Sequence, residues 1–266
     1  MRNRHLAALL AASFLTAAGP ANGASSEWTK VEGAAVRVVL SAEPDEEGRL
    51  RGALQIDLEP GWKTYWLDPG DAGVPPSVAM SVHGAPGAVD IGFPQPAWHD
   101  DGYAKWAGYD RPVSFALTLA PPYAGSMDFS VFLGVCETIC IPLQASFSVE
   151  PDRAAANAGH EAVVEGAFAA LPDAPRPGFR VIAARVEGES VAVEAELPAD
   201  AESAELFLAS TQNRMFGAPK PEKHEGRIAF RVPVLSATSD AKATETARYT
   251  LVSGGRAVAG TVLVGE

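Results

Sequence analysis

The chain contains two cysteines, Cys136 and Cys140, with three residues between them. Thiols at this spacing support three chemistries. They can form a redox-active disulfide that exchanges with partner proteins, a structural disulfide, or a pair of soft ligands for an ion such as Cu(I). Two cysteines are too few for a four-Cys zinc site or a disulfide-dense mini-scaffold. The flanking residues set how the pair is presented. With Glu137-Thr138-Ile139 as a three-residue hairpin loop, Val135 faces Ile141, Leu133 faces Leu143, Val131 faces Ala145 and Phe129 faces Phe147. All of these odd-numbered pairs are apolar, so they define a core face. Cys136/Cys140, Gly134/Pro142, Phe132/Gln144 and Ser130/Ser146 then share the opposite face. Directly opposed residues have Cα atoms about 4.5–5.5 Å apart, within the range of a disulfide. Closing so short a loop stabilises the fold by only about 2 kcal/mol, which makes a weak staple. The loop also lacks the Gly or Asn that a three-residue hairpin favours, so strain is expected there. Glu137 is the charged neighbour of Cys136, and a carboxylate raises a thiol pKa. No Lys, Arg or His lies close in sequence, and the sequence does not distinguish which cysteine attacks.

Other residues carry weaker signals. His99 beside Asp100 and Asp101 has metal-ligand character, but a lone loop histidine reads as surface. The run from Asp68 to Pro76 has the acids and glycines of a calcium loop without its spacing, and reads as a proline-rich turn. Trp62, Tyr65 and Trp66 read as core.

These groups need a scaffold, and its pattern is β. In 266 residues, 25 are Gly and 21 are Pro, too many for a helical bundle. Short strands are predicted at 36–41, 50–58, 77–82, 89–93, 113–119, 127–135 and 141–149. Leu54, Ile56 and Leu58 alternate with Gln55, Asp57 and Glu59, the period of a half-buried strand. Seven such strands point to an immunoglobulin-like sandwich over 25–150. An Ala-rich amphipathic helix is expected within 152–171, and Pro172, Pro175 and Pro177 end it as part of a linker spanning 151–177. Strands resume at 179–186, 191–197, 204–209, 227–232, 247–253 and 258–264, a second, smaller sandwich over 178–266. The fold class expected is therefore all-β, with two tandem antiparallel β-sandwiches joined by a short helical linker. All five Trp lie in the first of them, as do both cysteines.

Residues 1–24 read as a secretory signal: Arg2 and Arg4, an apolar run at 6–18 too short to span a bilayer, then small residues for cleavage. No later run is long enough to span one, so the mature chain is expected to be exported, without a membrane span, in a compartment that permits disulfides. With 33 Asp+Glu against 21 Lys+Arg, the net charge is −12. Such a chain is poorly suited to grip nucleic acid or an anionic lipid surface. No cofactor or metal is called for, and a monomer is expected.

Three ordered motifs resemble the DsbD N-terminal (alpha) domain family, in its ScsB-like branch. The first runs from Gly61-Trp62-Lys63-Thr64-Tyr65-Trp66 through Asp68-Pro69-Gly70-Asp71 to Pro76. The second comprises Phe93-Pro94-Gln95-Pro96 with Trp98 to Tyr103, then Gly108-Tyr109-Asp110-Arg111-Pro112-Val113. The third is Gly134-Val135-Cys136-Glu137-Thr138-Ile139-Cys140-Ile141-Pro142. The resemblance implies an immunoglobulin-like periplasmic module whose dithiol takes electrons from a membrane DsbD-type conduit, through a thioredoxin-like domain. It hands them to periplasmic thioredoxin-fold proteins. By position, Cys136 and Cys140 match the redox pair. Asp100, Asp101 and Tyr103 match a cap that shields it, and Tyr65 matches an aromatic beside it. The cysteine spacing is shorter than in the best-known DsbD. Neither a conduit nor a thioredoxin-like domain is legible in this chain, so one module of a reductase is implied. The competing reading is a non-enzymatic periplasmic binding module, in copper handling or envelope assembly, with a structural disulfide.

Overall fold

The computed structural model describes residues 25–121, 123, 125–150, 157–211, 214–224, 227–237 and 244–265. The expected leader and residues 151–156 of the linker lie outside them. The first domain contains β1 (Thr29–Val31), β2 (Ala34–Leu40), β3 (Leu50–Leu58), β4 (Lys63–Gly70), β5 (Ser77–Val82), β6 (Ala85–Gly87), β7 (Val89–Gly92), β8 (Ala97–Asp100), β9 (Lys105–Tyr109), β10 (Val113–Leu119), β11 (Met127–Cys136) and β12 (Cys140–Val149). All seven predicted strands are present. Five more, β1, β4, β6, β8 and β9, were not legible as strands.

The strands form two antiparallel sheets. One has the order β1-β2-β3-β10-β7; the other runs β6-β5-β11-β4-β9-β8, with β12 on β11. The inner faces meet through Leu54, Ile56, Phe115, Leu117, Phe129 and Leu133, all essentially without solvent contact. Hydrophobic alternation forces this arrangement, because each strand has one apolar face to hide.

The expected helix is α1 (Ala158–Ala169). Asn157 caps it, its side chain accepting the Gly159 N–H at 2.8 Å. It is more than a linker. Val164 and Ala167 pack on Val39, Ala53 and Ala116, covering the outer face of the five-stranded sheet. Small residues on that face let the helix approach closely. Glu161 fixes its position by accepting the Ala42 N–H at 2.7 Å.

The second domain contains β13 (Arg180–Glu187), β14 (Ser190–Glu196), β15 (Glu205–Ser210), β16 (Arg214–Phe216), β17 (Lys220–His224), β18 (Arg227–Ala237), β19 (Glu245–Ser253) and β20 (Arg256–Gly265). Its strands form one continuous path, β15-β19-β20-β13-β14-β18-β16, with β17 on β18. The halves join where β13 and β20 run parallel over Ala184↔Val264 and Arg185↔Gly265. Val191, Val193, Phe230 and Val232 share one core with Leu206, Leu208, Leu251 and Val258, so the halves close over each other. The chain is all-β in two tandem units, as its pattern predicts.

The two units are not separate bodies on a string. Phe207 of β15 is fully buried in the core of the first domain. It stacks on Trp98 at 5.3 Å and meets Trp66 edge-on at 5.8 Å. The Trp98 indole N–H donates to the Leu206 carbonyl at 3.0 Å. Asp68 of β4, only 7% exposed, accepts the Phe216 N–H at 3.0 Å and the Gly70 N–H at 3.1 Å. Burial pushes the Asp68 carboxyl up to about 6, against the two N–H groups that pull it down.

That carboxyl supplies a test of the interface. Its folded pKa lies above the 3.8 of an exposed aspartate. The native state therefore binds the proton more tightly. The stability this gives is complete below about pH 4 and is lost as pH rises through 6. Relative to wild type, Asp68→Asn should gain about 2.5 kcal/mol between pH 4 and pH 7.5. Urea unfolding of both proteins at the two pH values measures the gap. A gap that does not change with pH would show that Asp68 is not buried at the interface in solution.

Candidate functional site

The hairpin of β11 and β12 has the register expected from its odd-numbered residues, from Met127↔Val149 to Val135↔Ile141 and Cys136↔Cys140. The two cysteines are joined in a disulfide, with Cα atoms 4.1 Å apart. The Glu137–Ile139 loop turns without any left-handed residue; among described non-glycine residues only His83 has positive φ. It closes through the Glu137 N–H donating to the Ile139 carbonyl at 3.3 Å. Cys136 and Cys140 lie on the face away from the inter-sheet core, yet they are not equivalent. Cys136 is 1% exposed, whereas Cys140 is open to solvent. An openly exposed pair, as the hairpin pattern suggests, is therefore corrected to one buried and one accessible sulfur. What covers Cys136 is a small second cluster with Tyr65 and Trp106.

Strand β4 supplies that cover. β11 pairs with β5 from Met127 to Phe132, then with β4 through Val135↔Thr64 and Cys136↔Lys63. Along β4, Trp62, flanking the strand, and Trp66 point into the core, and Thr64 donates to the Gly134 carbonyl at 2.9 Å. Lys63 and Tyr65 alternate onto the other face, beside the disulfide. The Tyr65 hydroxyl donates to Cys136 Sγ at 3.0 Å and lies 3.5 Å from Cys140 Sγ. Gly134 makes room for its ring, since a Cβ there would sit 3.3 Å from Tyr65. Burial, and then the negative charge of Asp101, raise the Tyr65 pKa, so the hydroxyl remains a proton donor at neutral pH.

Strands β8 and β9 build the layer behind Tyr65. Trp106 meets Tyr65 edge-on at 5.8 Å. His99 stacks on Trp106 at 3.9 Å, and Lys63 Nζ lies 4.6 Å from its ring centre. His99 is thus half-buried on a strand rather than a surface loop residue. Burial foremost holds its pKa below the usual imidazole value, with Asp110 and a Gly108 backbone bond acting in opposition. The Lys63 ammonium also pairs with Asp101 at 3.2 Å. Asp101 accepts the N–H groups of Tyr103 and Ala104 at 3.1 and 3.0 Å. Those two bonds first, and then Lys63, hold its carboxyl below the usual value. Asp100 accepts the Gly102 N–H at 2.9 Å and pairs with Lys105 at 3.7 Å. The structure thus brings Tyr65 onto both sulfurs and connects Asp101 to them through Lys63 and Trp106. Asp100 lies on the outer side of the turn, and the Tyr103 side chain projects fully into solvent at 101% exposure.

Lys63 and Trp106 were not singled out by sequence. The alternation in Trp62-Lys63-Thr64-Tyr65-Trp66 was the available signal, because it separates two core indoles from a cation and a phenol. Glu137, read as the charged neighbour of the cysteines, has its carboxylate over Gly61 instead, 3.5 Å from where a Cβ would lie. Among the described residues no group of three or more His, Cys, Asp or Glu is placed to hold a metal ion.

The closeness of β9 to β4 can be tested at Gly108. A Cβ there would lie 2.2 Å from the Thr64 carbonyl oxygen, which the β4–β11 pairing holds in place. Gly108→Ala should destabilise the domain by about 1–3 kcal/mol and displace Trp106 from Tyr65. Thermal melting together with near-ultraviolet circular dichroism reads both effects. An unchanged melt would mean that the two strands are further apart than described.

Residues 30–151 match the N-terminal family of the thiol:disulfide interchange protein DsbD. The crystal structure of the N-terminal periplasmic domain of ScsB from Proteus mirabilis superposes with a TM-score of 0.75 at 20% identity, covering 92% of this chain and 99% of that one. At that identity the likeness is one of fold, and it spans both β units. A conserved domain protein from Bacillus anthracis covers 90% of this chain and 89% of its own at 8% identity, but its TM-score of 0.22 carries no argument. No curated protein matches the chain. The cysteine hairpin and both earlier motifs lie inside the residues that match the DsbD N-terminal family.

Proposed function

We propose that this protein is a periplasmic thiol:disulfide interchange module. Its Cys136–Cys140 pair takes electrons from a membrane DsbD-type conduit and passes them to periplasmic thioredoxin-fold proteins. One observation carries the reading above all: the disulfide has one exposed sulfur and one buried sulfur that already receives a hydrogen bond. Disulfide exchange needs these two roles, an accessible atom to attack and a stabilised leaving group.

The reaction then follows from the geometry. A donor thiolate attacks Cys140 Sγ and forms a mixed disulfide. The Cys136–Cys140 bond breaks, and Cys136 leaves with the electron pair as a thiolate. The Tyr65 O–H, already 3.0 Å away, stabilises that thiolate. The donor's second thiolate attacks its own sulfur in the mixed disulfide and releases Cys140. The donor ends as a disulfide and this pair as a dithiol, having gained two electrons and two protons. Reversing these steps reduces an acceptor. Asp100, Asp101 and Tyr103 act as a cap in this reading. The Lys63–Asp101 pair holds the turn near Trp106, and the exposed Tyr103 ring is free to meet a partner. Residues 25–150 are the redox domain, 151–177 the linker and 178–266 a second β domain that buttresses β4. The chain acts as a monomer after export and cleavage of residues 1–24. The ScsB relative is itself described as periplasmic.

The asymmetry of the two sulfurs gives the test. Oxidised wild type mixed with reduced thioredoxin should be converted to the dithiol. With oxidised thioredoxin, whose own disulfide is the bond broken, Cys136→Ala should form a mixed disulfide at Cys140, whereas Cys140→Ala should form little. Equal trapping by both variants would sink the assigned roles. Tyr65→Phe should slow exchange about tenfold or more through loss of the bond to the Cys136 thiolate. The double variant Cys136→Ala/Cys140→Ala should stay folded, since it loses a staple worth only about 2 kcal/mol. A wild-type pair inert to thioredoxin, but tightly binding Cu(I) once reduced, would favour metal handling instead.

A further inference from the structure

The sulfur that leaves as a thiolate is buried, and the exchange reading gives it one hydrogen-bond donor, the Tyr65 hydroxyl at 3.0 Å. A phenol O–H carries no net charge, so a buried thiolate beside it is still an anion without a counter-charge. Strand register sets a cation opposite it. Cys136 and Lys63 are cross-strand partners of β11 and β4, and both side chains lie on the face away from the inter-sheet core. Lys63 is the only Lys, Arg or His on β4, β11 or β12. Its side chain is 16% exposed. Its ammonium lies 4.6 Å from the centre of the Trp106 ring, which belongs to the same buried cluster as Cys136.

The contacts of Lys63 in the disulfide form do not account for that burial. The ammonium pairs with Asp101 at 3.2 Å, and the Asp101 side chain is 44% exposed. An ion pair with one partner in water stabilises a fold little, whereas taking an ammonium out of water is costly, and an exposed lysine would make the same bridge. Other charged groups around the sulfur do not supply the missing cation. Burial favours the neutral form of His99, which stacks on Trp106. The Glu137 carboxylate lies over Gly61, and Lys105 is taken by Asp100 on the outer side of the turn.

We propose that Lys63 is the positive charge that stabilises Cys136 as a thiolate, and that Asp101, by sharing the ammonium, limits how far it does so. The inference rests on the exchange reading above. When a partner thiolate bonds to Cys140 Sγ, the Cys136–Cys140 bond breaks and Cys136 keeps the electron pair. The new negative charge forms on the face where Asp101 and Trp106 already hold the ammonium, so no charged side chain has to be brought in at that moment. In the reverse direction the Cys136 thiolate attacks Cys140 Sγ in the mixed disulfide with an acceptor and re-forms the bond. Lys63 acts through Cys136 rather than on the partner, and is a positioning residue in that sense.

The sign of one shift tests this. In Cys140→Ala the remaining thiol is Cys136. Its ionisation is followed by the ultraviolet absorbance of the thiolate as pH is raised, with Cys136→Ala/Cys140→Ala as the blank for tyrosine. In that background Lys63→Met should raise the midpoint and leave about tenfold less thiolate at a given pH below it. Asp101→Asn should lower the midpoint, and Lys63→Arg should stay near the parent. Lys63→Gln gives the same reading if Lys63→Met does not fold. A pair that only held the turn in place would be broken alike by Lys63→Met and Asp101→Asn, and both would move the midpoint in one direction. That result, or a midpoint that Lys63→Met leaves unmoved, overturns the proposal. With both cysteines present, Lys63→Met should also make the dithiol less favoured against thioredoxin at alkaline pH, by up to about tenfold. A wild-type pair that thioredoxin does not reduce, in a protein whose Cys136 midpoint still rises in Lys63→Met, would sink the exchange reading and leave the charge assignment standing.

Discussion

Strand β11 is paired on both sides, and the site depends on that constraint. β12 borders it along its whole length, while its other neighbour changes from β5 to β4 before the chain reaches Cys136. At that level Cys140, Cys136 and Lys63 stand in a row across three strands. Tyr65, two residues along β4, leans over the sulfurs from the same face. None of these side chains chooses its position alone. The odd-numbered residues of β11 and β12 must enter the core, and a slip of one residue would bury the cysteines and expel Phe129, Leu133 and Phe147. The core therefore fixes the geometry of a site on its opposite face.

The same logic gives the second domain a place in the mechanism. Among the described residues it contributes no atom to the sulfur environment. It grips β4 near its far end, where Asp68 takes the Phe216 N–H and Trp66 meets Phe207. β4 also has an irregular register with β9 between Tyr65 and Gly70. A strand with such a break needs a hold on each side of it, one from β11 and one from the neighbouring domain. Tyr65 lies between these holds, so its hydroxyl can stay on the sulfurs while a partner comes and goes.

Legibility in the sequence followed the physics of each part. The hairpin register could be read because four apolar pairs repeat with period two and one loop length satisfies them all. The all-β class and both units could be read from the same periodicity. Strands β4, β8 and β9 could not, because their residues serve two environments at once. Trp62, Thr64 and Trp66 face a core while Lys63 and Tyr65 face the site, so the apolar count does not alternate. The unequal exposure of Cys136 and Cys140 was hidden for a related reason: the cover comes from residues some seventy and thirty positions earlier in the chain. The contacts of Asp68 with Phe216 and of Trp98 with Leu206 link partners more than a hundred residues apart, and nothing local announces them.

A pair that must open and close at every turnover should carry little of the fold's stability, and this one is built so. A bridge across a five-residue loop constrains the unfolded chain by only about 2 kcal/mol. The core beneath it is continuous from β2 to β12 and includes no sulfur of the pair. Reduction changes one covalent bond and leaves the apolar packing as it was. The free energy of exchange is then set locally, by the Tyr65 hydrogen bond, the burial of Cys136 and the charges at Lys63 and Asp101. Burial alone would penalise a Cys136 thiolate, since a charge leaves water at a cost. The phenol donor opposes that cost, and Lys63, opposite Cys136 across the strands, adds a cation on the same face. In the proposed exchange, the balance between burial and these two groups is what lets Cys136 act as a leaving group rather than an inert core thiol.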